Sequence, residues 1–161
     1  MGTVVVTPAQ LFRSPVLFLA FGFGAGLSRR APGTLGTLVA IPLYLGLGRL
    51  SAPLYLGLVV VVSLAGVWIC RRASDRLGVH DHPGIVWDEL AGFLVTMIPA
   101  PMSWTWTAAG FGLFRLFDIW KPWPISWADR HLKGGLGIMV DDLLAGGFAA
   151  VVLYLIIGMS G

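Results

Sequence analysis

The chain has 161 residues, of which 57% are hydrophobic and only 12% charged, against about 25% charged in a soluble domain. Its net charge is +3, but no basic run is interleaved with aromatics, so a nucleic-acid partner is not expected. The single cysteine, Cys70, rules out an intrachain disulfide, and one domain over residues 1–161 with the balance of a polytopic membrane protein is left.

The first dozen residues lack a basic stretch before an apolar core, so no cleavable signal is expected. Six apolar segments follow, at roughly 15–27, 35–48, 53–70, 84–99, 104–120 and 139–158. The third and the last are long enough to span a bilayer, which takes about 20 residues. The others are shorter and interrupted by Gly or Pro, as helices packed inside a bundle can be. The spectrum predicts an all-α fold: a compact multihelical integral membrane bundle of about six apolar segments, some short or broken. Gly22 and Gly26 have the spacing that lets helices approach closely.

Charge sorts the connections. All eight acids lie between Asp75 and Asp142, and nine of the eleven bases lie in the same connections or at Arg29 and Arg30. The segments 48–53, 99–104 and the C-terminal end carry one Arg between them. If segments two to six alternate in direction, every charged connection falls on one side, which the distribution of Lys and Arg names cytoplasmic. That predicts five crossings, a C-terminus outside, and a first segment that lies in the interface or dips back.

Two stretches echo each other. "GIVWDEL" (84–90) and "GIMVDDL" (137–143) each set a pair of acids where an apolar helix is expected to begin, and an Ala-Gly pair follows both. One acid would serve the helix dipole; two acids, placed twice at a membrane boundary, point to a functional site. Asp88, Glu89, Asp118, Asp141 and Asp142 are the candidate catalytic and metal-ligating residues. Hard carboxylate oxygens without thiolates suit Mg²⁺, or Mn²⁺, rather than zinc. Thr34 and Thr37, in the "RAPGTLGTL" turn (30–38), with Arg115, Lys121 and Arg130, are the candidate phosphate-binding residues. The turn also reads as a plain helix cap, and the His80-Asp81-His82 run reads as solvated histidines. No Cys-x5-Arg loop and no Asp-x-Asp-x-Thr motif is present, so any phosphate hydrolysis must run on carboxylate-bound metal.

Four blocks carry a family resemblance: "APGTLGTL" (31–38), "VHDHPGIVWDE" (79–89), "FRLFDIWKPWPI" (114–125) and "GGLGIMVDDLLAG" (134–146). In this order they resemble bacterial phosphatidylglycerophosphatase A, from about Phe18 onward. The resemblance implies a Mg²⁺-dependent integral enzyme of the inner membrane. Its expected lipid substrate is phosphatidylglycerophosphate, cleaved to phosphatidylglycerol and phosphate at the cytoplasmic face. A phosphatase for another lipid phosphate, and a proton- or cation-coupled transporter whose acids carry the ion, are the other readings of the same acids.

Overall fold

The computed structural model describes residues 5–160, and every regular element among them is helical. The helices are α1 (Pro8–Phe12), α2 (Pro15–Ala20), a 3-10 segment (Gly22–Leu27), α3 (Pro32–Leu47), α4 (Ala52–Leu77), α5 (Trp87–Thr96), α6 (Trp104–Trp120), α7 (Ile125–His131) and α8 (Gly134–Ser160). The all-α expectation is met. The boundaries differ from it in ways that have local causes.

The segment expected at 15–27 is two pieces. α2 opens on a Ser14 cap with Pro15 in its first turn, and stops where Gly22, Phe23 and Gly24 take positive φ of 53°, 59° and 111°. A right-handed helix cannot continue through such a run. α4 continues past residue 70 through Arg71, Arg72, Asp75 and Arg76, because Ile69, Cys70, Ala73 and Ser74 keep an unbroken buried face. It ends on Gly78 in the left-handed conformation that favours glycine. α5 begins at Trp87 rather than 84: the Ile85 amide closes a turn onto the His82 carbonyl, and the Val86 amide donates to the Ala20 carbonyl at 2.8 Å, tying the non-helical 84–86 stretch to the end of α2. α7 lies inside what the sequence reads as a connection. α8 begins at Gly134, five residues before the expected start at 139.

α8 is the central helix. A Cβ on Gly146 would lie 2.3 Å from the Gly92 carbonyl oxygen of α5, and one on Gly92 would lie 2.6 Å from the Asp142 carbonyl oxygen. The two Ala-Gly pairs of the echoed stretches are thus where α5 and α8 touch backbone to backbone. Gly135 makes the matching contact with α4, where a Cβ would meet the Val67 carbonyl oxygen at 1.9 Å. Contacts fix the directions. Asp142 and Gly146 of α8 meet Gly92, and Thr96 Oγ1 reaches the Gly146 carbonyl, so α5 runs with α8. Tyr44 packs on Phe93, and Gly33 abuts Glu89, so α3 runs with them too. Tyr55 donates to the Leu94 carbonyl at 2.7 Å, and Leu153 packs beside Gly110, so α4 and α6 run the other way. The five helices alternate in direction along the chain.

Two helices, α4 and α8, are long and apolar enough to cross a membrane, and α3 is a shorter apolar helix. Length and composition do not extend this to six segments.

The close contact gives a stability prediction. Gly146→Ala forces a methyl against the Gly92 backbone, and overpacking of this kind costs about 1–3 kcal/mol. Gly147 has no atom within 4 Å of its would-be Cβ, so Gly147→Ala is expected to leave stability unchanged or slightly raised. Thermal unfolding of the two variants in detergent checks the difference.

Candidate active site

The N-terminal ends of α3, α5 and α8 and the C-terminal end of α6 meet at one end of the bundle. There a cavity of about 280 Å³ is lined by Asp88, Glu89, Asp118, Lys121, Asp141 and Asp142, with His80, Asp81 and Asp129 at its rim. All five acids expected in the site are brought together. Asp88 and Glu89 stand in the first turn of α5. Asp141 and Asp142 do not start their helix. They lie seven and eight residues past Gly134, about 10–12 Å along α8 at 1.5 Å per residue. The helix dipole therefore does not account for the second pair.

Ion pairing divides the acids. Arg115 Nη1 lies 2.5 Å from Asp118 Oδ2, a contact that the i, i+3 spacing on α6 provides. Lys121 Nζ lies 2.7 Å from Asp141 Oδ2 and 2.6 Å from Asp129 Oδ1 of α7. Burial would lower the Lys121 pKa, but the hydrogen bonds to Asp129 and Asp141 outweigh it and hold the ammonium above the ordinary lysine value. Lys121 also ends α6 at φ 45°, a left-handed conformation that a non-glycine residue rarely adopts. Such strain concentrates at functional sites.

Asp88, Glu89 and Asp142 are left with no ion pair among the described residues. One carboxylate oxygen from each lies within 4.8 Å of the others. Asp88 Oδ1, Glu89 Oε2, Asp141 Oδ1 and Asp142 Oδ2 are buried without a hydrogen-bond partner. Buried charges are ordinarily paired or bound to metal. Three buried carboxylates with open oxygens repel one another unless a cation sits between them. The donor set is all oxygen, which matches a hard divalent ion.

The expected phosphate ligands separate. Lys121 lines the cavity, and Arg115 stands beside it at the Asp118 wall. Thr37 is fully buried, and its hydroxyl donates to the Gly33 carbonyl at 3.0 Å inside α3. Thr34 is half-buried and does not line the cavity, and exposed Arg130 donates from Nε to the Ser126 carbonyl at 2.9 Å. What the "GTLGT" stretch brings to the site is its first glycine: a Cβ on Gly33 would lie 2.2 Å from Glu89 Oε1 and 3.3 Å from Arg115 Nη1. The histidines hold backbone. His80 Nε2 accepts the Gly134 amide at 2.8 Å, and His82 Nδ1 accepts the Gly84 amide at 2.9 Å. Asp81 and Asp129 are the cavity acids that spacing did not single out; their signal was their place among the clustered acids.

A model of the family described as "Phosphatidylglycerophosphatase A" matches residues 18–157. Similar curated proteins bear that name in Escherichia coli strain K12, 47% identical over 89% of this chain and 84% of the relative, and in Haemophilus influenzae, 42% identical over 89% of each. A protein of Bacteroides thetaiotaomicron named "Putative phosphatidylinositol-3-phosphatase" is 37% identical over 86% of this chain and 91% of the relative. No solved structure matches.

Proposed function

We infer the activity from membership and site together: the chain belongs to the phosphatidylglycerophosphatase A family, and its acid-lined cavity offers the all-oxygen donors that would suit phosphate chemistry on a metal. It is a phosphatase, and we propose phosphatidylglycerophosphate as its substrate, hydrolysed to phosphatidylglycerol and phosphate. The observation that carries this is the set of buried, unpaired carboxylates of Asp88, Glu89 and Asp142 facing Lys121 across one cavity.

Asp88, Glu89 and Asp142 would hold Mg²⁺, or Mn²⁺ in its place. When bound, the ion supplies positive charge against the phosphate oxygens, where charge builds up as the ester bond breaks. Lys121 places its ammonium at the cavity wall, and Asp141 and Asp129 fix it there. Arg115, paired with Asp118 behind the cavity wall, would add positive charge beside the phosphate. Asp141 Oδ1 is free to orient a water for attack on phosphorus, while its other oxygen is bound by Lys121.

The purified protein is expected to release phosphate from phosphatidylglycerophosphate in Mg²⁺, and not in EDTA. Phosphatidic acid and phosphatidylinositol 3-phosphate serve as competing substrates, the latter because of the name borne by the 37% identical relative. Faster turnover of either one would replace the substrate proposed here. Uptake of cations by vesicles without phosphate release would favour a transporter.

We place the site at the cytoplasmic face of the inner membrane, in a multi-pass chain. The alternating helices and the gathering of acids and bases at one end of the bundle support this. Ser51→Cys and Met102→Cys are expected to react with an impermeant thiol reagent on intact cells, and Asp75→Cys and Lys133→Cys only after lysis. Cys70 is fully buried and should stay silent. Labelling of Asp75→Cys or Lys133→Cys from outside would put the cavity on the wrong side.

A further inference from the structure

The outward side chains of the helices are not uniform. On α4 they are Leu54, Val60, Val61 and Leu64, and on α8 Val151, Leu155 and Ile156, all exposed. These faces are mainly aliphatic, with Trp68 and Tyr154 among them, and have the composition that hydrocarbon would cover. Around the cavity three exposed tryptophans join aliphatic residues such as Ile119 and Leu136: Trp120 at 68%, Trp123 at 78% and Trp127 at 49%. α7 turns Ile125 and Ala128 inward, both buried, and packs on α8. Its outer face carries Trp127 stacked on His131, with ring centroids 5.1 Å apart, and Arg130; Trp123 and Lys133 flank it, both exposed. A seven-residue helix facing water would carry small or charged residues there, and one facing hydrocarbon would carry Leu or Val. Trp beside Arg and Lys is the composition of the layer between, where an amphipathic ring has one wet end and bases meet anionic headgroups.

α6 sets the depth. It begins at Trp104, 71% exposed, and ends at Trp120. The two lie 16 residues apart, about 24 Å along a helix, close to the roughly 30 Å of a hydrocarbon core. Trp104 and Trp120 thus have the spacing of residues at two interfaces, and α7 leaves α6 at the level of the second.

We propose that α7 with Trp120 and Trp123 is a lipid-docking surface that lies in the headgroup layer of an anionic leaflet and sets the cavity mouth at that depth. It rests on the membrane-enzyme reading above. Lys121 and Asp129 belong to this segment and also line the cavity, so the depth of α7 fixes where a phosphomonoester enters. The occupant is the lipid layer, not a partner protein, because the outward bases and indoles continue the sequence of exposed faces on α4, α6 and α8.

The test places nitroxide labels on Trp123→Cys and Trp127→Cys in vesicles of phosphatidylethanolamine and phosphatidylglycerol. Leu155→Cys gives the hydrocarbon reference and the same nitroxide free in buffer the water reference. Collision with oxygen and with a water-soluble nickel chelate should be intermediate between the references at both tryptophan positions, whatever the protein-to-lipid ratio. Values equal to those of the free nitroxide would overturn the proposal, as would shielding that appears only at high protein density, which marks a second copy as the occupant. This readout needs no turnover, so it stands or falls apart from the substrate assignment. In the second arm, a Trp123→Ser, Trp127→Ser variant should raise KM several-fold for substrate in vesicles while leaving kcat, and the turnover of a short-chain monomeric analogue, unchanged. Equal loss on both substrates would show a merely structural role and overturn it.

Discussion

Asp142→Asn is expected to lower turnover at least ~100-fold, the usual scale for losing a metal ligand or a preorganised charge. The substitution keeps shape and volume and removes only charge. Asp142 is 3% exposed, has no ion pair among the described residues, and converges with Asp88 and Glu89. Removing its charge should therefore also relieve repulsion in the metal-free protein. In EDTA the variant should melt at a higher temperature than the unaltered chain. Added Mg²⁺, which stabilises the unaltered chain by binding only its folded form, should stabilise the variant less. Opposite movements of stability and activity are what a site built against folding stability gives. The same pattern is expected for Asp88→Asn, which shares the cluster. Turnover close to that of the unaltered chain, or an undiminished Mg²⁺-induced rise in Tm, would remove these residues from the site.

The acids were legible because charge is scarce here. In a chain 12% charged, two adjacent pairs flanked by apolar residues stand out, and each repeats its Ala-Gly sequel. The structure gives that repeat one purpose: Gly92 and Gly146 bring two helices into backbone contact, and the same contact brings their acids together. Other parts were hidden for physical reasons. Gly134, Gly135 and Gly137 fall before the expected start at 139, yet they open α8, since a side chain at Gly135 would strike Val67 and one at Gly137 would strike the Leu132 carbonyl. The charged stretch between the segments 104–120 and 139–158 read as a connection, and the short α7 inside it carries Asp129 to Lys121. The Thr-Gly pattern of α3 resembled a phosphate loop, but Thr37 returns its hydroxyl to its own helix. Periodicity could not tell a glycine that frees backbone for a ligand from one that makes room for a neighbouring carboxylate.

That distinction makes Gly33 the sharper probe. Gly33→Ala is expected to lower activity on the order of 10- to 100-fold with little loss of stability, since a misplacement of about 1 Å at a reacting centre can cost 100-fold. The new Cβ would lie 2.2 Å from Glu89 Oε1, closer than non-bonded atoms can sit. Glu89 can yield, because the crowded atom is the far end of a flexible side chain rather than backbone. Folding survives that movement, and alanine favours the helix over glycine by about 0.8–1.0 kcal/mol. Metal binding does not survive it as well, because the Glu89 carboxylate must leave the cluster it forms with Asp88 and Asp142. Arg115 Nη1, 3.3 Å from the same Cβ, would shift with it and loosen the pairing with Asp118. Gly46→Ala on the same helix meets nothing within 4 Å and should leave activity intact. Gly146→Ala should show the reverse signature to Gly33→Ala, a fall in Tm from backbone crowding. Turnover, Mg²⁺ affinity and thermal unfolding measured on the three variants separate the cases. Full activity and unaltered Mg²⁺ affinity in Gly33→Ala would mean that Glu89 does not need its present position, and would leave Asp88 and Asp142 without their third ligand.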